Sequence, residues 1–315
     1  MISVALLLGV LIDWLAGEPK RCHPLVGFGW LAQHVEHLFN LKRLQLSAIK
    51  LKLLGALALA LLCLPLPLIL YYWLPGRWES FGLYSVLNAL LLYLAIGHRS
   101  LWDHIQPIAD ALVRQDDVSA RHHTAMIVSR DPDALNIEVS AIESILENGS
   151  DAIFAAIFWF VIAGGAGAVF YRLVNTLDAM WGYRTKRYEN FGWAAARLDD
   201  ALNYLPARCT ALSYAVLSDC VSALKCWKEQ APAHASPNGG PVIAAGAGGL
   251  GVLLGGPTRY QGVWQDKPVL GRGQLPGVCD IRRALRLVSQ TLILWVVLIC
   301  GAELFLQMLP TGGWR

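Results

Sequence analysis

The chain has 315 residues, of which 55% are hydrophobic and only 16% carry a charge, and its formal net charge is +3. Because soluble domains carry about 25% charged residues, this composition excludes an ordinary soluble domain and indicates a membrane protein. It also excludes a nucleic-acid-binding protein, since such proteins present a dense basic face and these charges are evenly spread. The seven cysteines contain no CxxC pair, and we interpret them as buried, reduced thiols.

Apolar runs that are long enough to cross a bilayer recur along the chain. A helix needs about 20 residues, at about 1.5 Å each, to cover a hydrocarbon core of about 30 Å. We therefore predict the all-α class and a single membrane-embedded domain, 1–315, of a polytopic α-helical integral membrane protein. The predicted spans are 2–16, 51–74, 81–97, 152–174, 207–224 and 288–309, and 207–224 is also compatible with a re-entrant piece or a buried helix.

The distribution of Lys and Arg between the loops predicts the orientation of these spans. Residues 17–50 contain five Lys or Arg residues, whereas the turn 75–80 contains only Arg77. By the positive-inside rule, 17–50 faces the cytoplasm, and counting spans places 98–151 there as well. We therefore expect a multi-pass protein of the cell inner membrane whose helical polar loops lie in the cytoplasm.

The predicted span 152–174 is interrupted by Gly164, Gly165 and Gly167. A full crossing there would export the following loop, which is rich in Lys and Arg and therefore belongs on the cytoplasmic side. Irregular backbone at membrane depth is tolerated where protein or a polar cavity lines it. We therefore expect a re-entrant or broken helix near 152–174, which keeps the polar loops on both sides of it in the cytoplasm.

Three carboxylates stand at helical spacing immediately before this segment. Glu143, Glu147 and Asp151 occupy i, i+4 and i+8, with Asn148 between them, so they share one helix face. No basic residue lies within a turn to neutralise them. The pattern leaves two interpretations open: a solvated acidic face, or a site completed by a cation such as Mg²⁺, which prefers carboxylate oxygens.

Residues 175–208 combine basic, acidic, amide and aromatic side chains between two apolar runs. Arg and Lys hold phosphates or carboxylates, while Asp and Asn bind metal ions, so this composition is typical of a site for an anionic substrate. An interfacial belt is the alternative, but it accounts for the aromatic and basic residues only. The site residues singled out here are Asn175, Asp178, Tyr183, Arg184, Lys186, Arg187, Arg197, Asp199, Asp200 and Asn203.

Shorter polar or glycine-rich segments are further candidates. The loop 234–241, with Ser236 and Asn238, is predicted to offer backbone N–H groups to an anion. Arg99 follows the third span, either as an interfacial cap or as a cationic substrate contact. Residues 246–251 match GxGxxG, but without a βαβ pattern they indicate close helix packing rather than a dinucleotide site.

These polar segments, in this order, resemble the adenosylcobinamide-phosphate synthase family of cobalamin biosynthesis, often called CobD/CbiB. The similarity extends nearly from end to end, and the block 175–208 is its most specific part. It is carried by residues 13–29 (DWLAGEPKRCHPLVGFG), 99–104, 129–131, 143–151 (ESILENGSD), 175–184 (NTLDAMWGYR), 186–208, 236–238 and 254–257.

The resemblance implies an ATP-dependent ligase that joins (R)-1-amino-2-propanol O-phosphate to a propionate carboxylate of adenosylcobyric acid. Because a free carboxylate does not condense with an amine in water, we expect activation by ATP as an acyl phosphate, with Mg²⁺ neutralising charge. The expected cofactors are ATP and Mg²⁺. The expected partners are the two substrates, the lipid bilayer and other late corrin-pathway membrane enzymes.

The resemblance also implies roles for the polar residues. The expected catalytic residues are Glu143, Glu147, Asn148, Asp151, Asp178, Asp199 and Asp200. The expected Mg²⁺ ligands among them are Glu147, Asp151, Asp199 and Asp200. The expected substrate-binding residues are Arg99, Asn175, Tyr183, Arg184, Lys186, Arg187, Arg197, Asn203, Ser236 and Asn238.

Two positions depart from the family pattern: Gly149 stands where Thr is usual, and Val242 follows Pro241 where a Pro-Glu pair is usual. If that glutamate binds substrate, the departure bears on activity, and a non-catalytic sensor or scaffold of the related AmpE-like group is one alternative. A transporter is another, although it should show inverted repeats and charges within its spans. The acidic residues lie mostly in predicted loops and no repeat is evident, which favours the enzyme.

Overall fold

The computed structural model describes most of the chain and consists mainly of α-helices. The described residues are 2–19, 23–40, 46–77, 81–128, 130–131, 133, 135–260 and 262–309, with the side chains of 74–77 and 81 excepted. Several residues used in the sequence analysis lie outside the described residues, namely Lys20, Arg21, Cys22, Lys42, Arg43 and Ser129.

The helices and strands follow one another in this order. The first part contains α1 (Ile2–Ala16), α2 (Pro24–Phe39), α3 (Ala48–Cys63), α4 (Pro65–Arg77), α5 (Phe81–Ala95), α6 (His98–Val113) and α7 (Asp117–Ala125). The second part contains α8 (Ile137–Gly149), a π-helical segment (Ser150–Phe154), α9 (Ala155–Trp181), α10 (Trp193–Val216) and α11 (Cys220–Gln230). A 3₁₀ turn (Ala231–Ala233), α12 (Gly239–Leu250), β1 (Leu253–Tyr260), β2 (Val263–Gly271) and α13 (Val278–Met308) complete it.

Three helical stretches among the described residues are long and apolar enough to cross a membrane. They are Ala48–Trp73, Ile137–Trp181 and Val278–Met308, and Ile2–Ala16 is a shorter apolar helix. Many of their large apolar side chains face outward, such as Leu53 on α3 and Ile293 on α13, which are more than 60% exposed. Exposed apolar side chains in such number mark a surface that contacts a membrane or another protein.

The helix α9 contains the predicted break. Ala163 (φ −136°, ψ 22°) and Gly164 (φ 62°, ψ −156°) leave helical geometry, and glycine adopts that positive φ without strain. The backbone N–H of Gly165 donates a hydrogen bond to Oδ1 of Asn88 on α5 at 2.7 Å. This bond satisfies a buried donor where the helix is interrupted. The chain is therefore broken at the glycines that the sequence singled out.

The strands β1 and β2 form an antiparallel hairpin, which the all-α expectation did not include. A register shift between Leu254 and Gly256 bulges β1. Glycine and proline in both strands hide the alternation by which a strand is recognised in a sequence. The predicted span 207–224 is also not one helix, because α10 ends at Val216 and α11 begins at Cys220.

The cysteines are only partly as expected. The six described cysteines are free thiols, and Cys63 and Cys226 are buried. Cys209, Cys220 and Cys279 are exposed, so the expectation of burial is wrong for these three. Each lies on an outward face of its helix, where a small, weakly polar side chain is tolerated.

Gly149 marks a close contact between α8, α10 and α13. A β-carbon at this position would lie 2.7 Å from the hydroxyl oxygen of Tyr214 and 3.0 Å from Cγ2 of Val288. The Tyr214 side chain is fully buried, and its hydroxyl donates to the backbone oxygen of Leu146 at 3.2 Å. The departure at Gly149 is thus a matter of helix packing, because Tyr214 and Val288 occupy the space that a side chain would need.

We expect Gly149→Thr to lower the free energy of unfolding by about 1–3 kcal/mol, since overpacking a close contact displaces its neighbours. The control is Gly27→Thr on α2, where a β-carbon would meet no atom within 4 Å. Thermal unfolding of both purified variants in detergent measures the difference. A Gly149→Thr protein that unfolds at the temperature of Gly27→Thr would contradict this account.

The second departure, Val242, lies in the core. It is 1% exposed on α12, which packs against α8, α10 and α11. Gly246, from the GxGxxG match, faces Leu146 of α8, where a β-carbon would lie 2.6 Å from a leucine methyl. The glycine-rich helix therefore serves close helix packing, as predicted, and Val242 is not among the residues that line the cavity described next.

Candidate functional site

A cavity of about 690 Å³ brings together residues from four separate segments of the sequence, the last of which contributes Gln265 on β2. Its walls are the C-terminal ends of α8 and α9, the loop 182–192, the first turns of α10 and the turn 235–239. Of the residues predicted from the sequence, it is lined by Glu147, Asp151, Asp178, Tyr183, Arg184, Arg197, Asp199, Asp200, Asn203, Ser236 and Asn238.

Hydrogen bonds orient the carboxylate of Asp199 in this cavity. Its Oδ1 accepts from Nδ2 of Asn175 at 3.2 Å, and its Oδ2 accepts from Nδ2 of Asn203 at 2.9 Å. The Tyr171 hydroxyl lies 2.9 Å from Oδ1 of Asn203 and 2.7 Å from the backbone oxygen of Asp151. This network connects α9, α10 and the π-helical segment, a type of helix irregularity that is frequent at functional sites.

Negative charge dominates the cavity. Six carboxylates line it, the five predicted ones and Glu189, whereas Arg184 and Arg197 are the arginines among its described lining residues. Burial raises the pKa of Asp199 to about 6, against hydrogen bonds from Asn175 and Asn203, and the charge of Asp200 adds to the rise. Burial also raises the pKa of Asp200, although Arg197 and Arg184 oppose it. A bound cation would relieve this crowding of like charge.

Hydrogen bonds fix the conformation of the turn that contains Ser236 and Asn238. The Ser236 hydroxyl oxygen accepts from the backbone N–H groups of Asn238 and Gly239, at 3.3 and 2.9 Å. Nδ2 of Asn238 donates to the backbone oxygen of Asp200 at 2.8 Å, and its Oδ1 accepts from Arg208 at 2.9 Å. The N–H groups of Asn238 and Gly239 are therefore bound by Ser236 within the turn, and anion binding by the loop 234–241 stays a prediction.

Gly239 lets this turn approach the carboxylate of Glu147. A β-carbon at residue 239 would lie 2.8 Å from Oε1 of Glu147. Any side chain there would push the carboxylate or the turn away. The turn thus closes one side of the cavity at a position that only glycine permits.

Three predicted substrate-binding cations lie outside the lining of this cavity. Arg187 donates through Nε and Nη2 to the buried carboxylate of Glu36, at 3.0 and 2.5 Å. Arg99 donates through Nε to Oδ1 of Asp103 at 2.9 Å, one turn along α6. Lys186 is exposed and also lies outside the lining. Arg187 and Arg99 are each paired with a carboxylate outside the cavity, which explains why their side chains are not directed toward it.

A second cavity of about 320 Å³ adjoins the first and shares Glu147 and Tyr183 with it. The other residues that line it are Ile127, Val128, Arg130, Ser140, Glu143, Ser144, Asn148, Tyr260 and Lys267. Asn148 donates to the Ser144 hydroxyl at 2.8 Å. The acidic helix face of α8 is therefore divided, with Glu143 and Asn148 in the smaller cavity, Asp151 in the larger and Glu147 in both.

Glu143 is neither solvated nor free. Its side chain is 8% exposed and forms an ion pair with Arg130, which lies thirteen residues earlier. Its Oε1 accepts from the backbone N–H of Gly255 on β1 at 2.6 Å. The interpretation as a solvated acidic face, without a basic neighbour, is thus wrong for Glu143. With both oxygens engaged, this carboxylate holds the base of the hairpin against α8.

Asp131 forms hydrogen bonds with the far end of the same hairpin. Its Oδ2 accepts from Nε of Arg259 and from the backbone N–H of Gly262, both at 2.8 Å. Glu143 and Asp131 therefore bind opposite ends of β1. These contacts bring together three segments that carry the resemblance, at Arg130, Glu143 and Gly255.

The donor set of the larger cavity suits a hard cation. Mg²⁺ prefers carboxylate oxygens, keeps several waters and is commonly bound by one or two carboxylates with substrate phosphates. Over the described part of the chain, no group of three or more His, Cys, Asp or Glu side chains is close enough to hold a metal ion by itself. A Mg²⁺ ion bound by these carboxylates would therefore take its remaining ligands from water and phosphate oxygens.

The sequence did not predict some residues that line or support the two cavities. Tyr171 stands inside an apolar run, where a tyrosine is indistinguishable from core. Gln265, Lys267 and Tyr260 belong to the unpredicted hairpin, and they reach the two cavities only because the hairpin folds back on α8. Pairing of the hairpin with Glu143 and Asp131 is a long-range contact, for which the local sequence contains no signal.

Comparison with known proteins identifies the family. The family model "CobD/Cbib protein" matches residues 6–288. "Cobalamin biosynthesis protein CobD" of Stutzerimonas stutzeri is 50% identical, covering 97% of this chain and 96% of that protein. The proteins of the same name from Chromobacterium violaceum and Mycobacterium tuberculosis strain H37Rv are 48% and 39% identical, covering 95% and 90% of this chain and 96% and 90% of their own lengths. No solved structure matches the chain. The chain therefore belongs to the CobD/Cbib family.

Proposed function

We propose that this protein is an adenosylcobinamide-phosphate synthase, which joins (R)-1-amino-2-propanol O-phosphate to a propionate of adenosylcobyric acid at the expense of ATP. The observation that carries the proposal is the cavity of about 690 Å³ in which six carboxylates and two arginines converge. Such a site suits a metal-bound polyphosphate, because Mg²⁺ requires oxygen ligands and arginines bind phosphate oxygens. The names of the relatives, which refer to cobalamin biosynthesis, support the pathway.

ATP is a substrate of the proposed reaction. The propionate oxygen attacks the γ-phosphorus, which releases ADP and leaves an acyl phosphate. The amine nitrogen then attacks the acyl carbon, the amide bond forms, phosphate leaves with the C–O bond pair, and the proton of the amine passes to a base. A carboxylate within hydrogen-bond reach of the amine can accept that proton.

The described residues divide these tasks among them. Asp199 and Asp200 would hold Mg²⁺, with Asp178 beside them, and the bound ion would neutralise charge on the phosphates. Arg184 and Arg197 would bind phosphate or corrin carboxylate oxygens. Glu147 stands where the two cavities meet, which suits it to accept the proton of the amine. Asn175 and Asn203 keep the Asp199 carboxylate in place.

The same proposal includes a location in the membrane. The three long apolar helical stretches and the shorter helices α1 and α5 would cross or enter the inner membrane, with the broken helix α9 entering without a full crossing. The basic loop 17–50 would then face the cytoplasm, together with the cavity. ATP is available on that side, which makes the orientation consistent with the proposed reaction.

The test is amide formation by the purified, detergent-solubilised protein. It is incubated with adenosylcobyric acid, aminopropanol phosphate, ATP and Mg²⁺, and the product is detected by mass spectrometry. We expect adenosylcobinamide phosphate only when both ATP and Mg²⁺ are present, and its loss when a chelator removes Mg²⁺. Absence of product from protein that still unfolds cooperatively on heating would reject the proposal.

A further inference from the structure

Lys267 is a cation in the smaller cavity with no carboxylate partner among the described residues. It lies on β2, is partly buried, and lines the cavity of about 320 Å³ beside Tyr260, whose ring centroid lies 5.2 Å from its Nζ. An ammonium group that is partly removed from water and not paired gains from an anionic ligand. The position of Lys267 thus points to an anion in this cavity.

The other cation of the cavity is already engaged. Arg130 donates through Nη1 to the Ser140 hydroxyl at 2.8 Å and pairs through Nη2 with Glu143. Its charge is therefore compensated by protein. Lys267 is the cation of the described lining that remains available for a ligand.

Besides the Arg130–Glu143 pair, the smaller cavity is lined by a lysine, Lys267, and by the carboxyl group of Glu147. Glu147 stands in the wall shared with the larger cavity, and Lys267 lies close enough to act on it electrostatically. A ligand with an ammonium at one end and an anion at the other would be complementary to this pair. The volume of about 320 Å³ is at the lower limit for ligand pockets, which suits a small molecule rather than a nucleotide or a corrinoid.

We propose that the smaller cavity binds the amine substrate, with its phosphate monoester on Lys267 and its amino group toward Glu147. This inference rests on the proposed function and assigns a subsite within it. The larger cavity then receives the nucleotide and the corrin propionate, and the acyl carbon and the amine meet at Glu147. Lys267 contributes binding of the amine substrate, and the hairpin is the element that positions it.

The experiment compares wild-type protein with Lys267→Met, which keeps the length of the side chain and removes its charge. Steady-state amide formation is measured against three substrates in turn, and 1-amino-2-propanol without phosphate replaces the amine in a parallel series. We expect the KM for the phosphorylated amine to rise about ten-fold or more, as for a lost charge-assisted hydrogen bond. The KM values for ATP and adenosylcobyric acid should stay within about two-fold, and the preference for the phosphorylated amine should fall by the same factor as its KM rises.

The matched control is Lys225→Met on α11, an exposed lysine that lines neither cavity. It should leave all three KM values unchanged. A second readout, stabilisation of the protein by the phosphorylated amine in a thermal unfolding assay, does not require turnover. That stabilisation should be present in wild-type and Lys225→Met protein and lost in Lys267→Met.

The outcomes separate the two proposals. If wild-type protein makes amide and Lys267→Met keeps its KM for the phosphorylated amine, or changes only the KM for ATP, the subsite assignment is wrong and the proposed function stands. If wild-type protein makes no amide, the proposed function fails. In that case the unfolding assay still decides the subsite, because equal stabilisation of both proteins, or of neither, overturns the role of Lys267.

Discussion

Asp199→Asn should lower the rate of amide formation by about 100-fold or more, while the protein remains folded and in the membrane. The change removes one negative charge from the group of carboxylates proposed to hold Mg²⁺, and loss of a preorganised electrostatic contact commonly lowers kcat by about 10²–10³. The two oxygens of Asp199 now accept from Nδ2 of Asn175 and Nδ2 of Asn203. In the variant, an N–H₂ group replaces one of these oxygens, so two hydrogen-bond donors face each other. Rate measurements at saturating substrates, with Mg²⁺ varied, provide the check.

The control for this prediction is Asp219→Asn at the N-terminus of α11. Asp219 caps that helix by accepting from the backbone N–H of Ser222 at 3.1 Å, a role that Asn also fills. It lies outside both cavities, so the variant should retain wild-type rates. Near-normal turnover of Asp199→Asn at all Mg²⁺ concentrations would remove Asp199 from the proposed metal site.

Glu143→Ala should lower the free energy of unfolding by about 3–5 kcal/mol, because removing one partner of a buried ion pair leaves the other charge uncompensated. The Arg130 and Glu143 side chains are only 10% and 8% exposed. The substitution also leaves the backbone N–H of Gly255 without its acceptor, so the hairpin should detach from α8. Thermal unfolding measures the first effect, and limited proteolysis within 253–271 measures the second.

Two further variants decide whether the buried pair is the cause. Glu229→Ala, at an exposed position of α11, should change the unfolding temperature little. The double variant Arg130→Met with Glu143→Leu should recover part of the stability, since apolar replacement of both partners removes the buried charges together. Equal destabilisation by Glu143→Ala and by the double variant would show that the loss comes from packing or from the lost Gly255 hydrogen bond, and not from the uncompensated guanidinium.

The sequence predicted correctly those structural features whose physical cause lies within one continuous segment. The apolar runs predicted the long helices, because burial of apolar surface and internal hydrogen bonding of the backbone are properties of one continuous segment. The break at Gly164 was also local, since glycine there adopts a positive φ. The helical spacing of Glu147 and Asp151, and the polar block around Asp199, predicted side chains that the fold does bring to one cavity.

Contacts between distant residues were beyond the reach of local patterns. Arg187 is 151 residues away from Glu36, which holds its guanidinium, and nothing near residue 187 indicates that pairing. Glu143 is 112 residues away from Gly255. For this reason the sequence predicted a cluster of free cations and carboxylates, whereas several of them are bound to each other and support the site without lining the larger cavity.

The sequence by itself determined the helical, apolar character of this protein, the interruption of α9 and the identity of most polar residues of the larger cavity, because these depend on composition and on spacing within one segment. Only the tertiary structure decided that α8 presents its carboxylates to two cavities and that Glu143 is bound by Arg130 and the hairpin. It also decided that Lys267 lines the smaller cavity without a carboxylate partner among the described residues. The physical reason is that an ion pair or a cavity wall is made by residues from different segments, so which charges are neutralised and which stay available is settled only when those segments pack together.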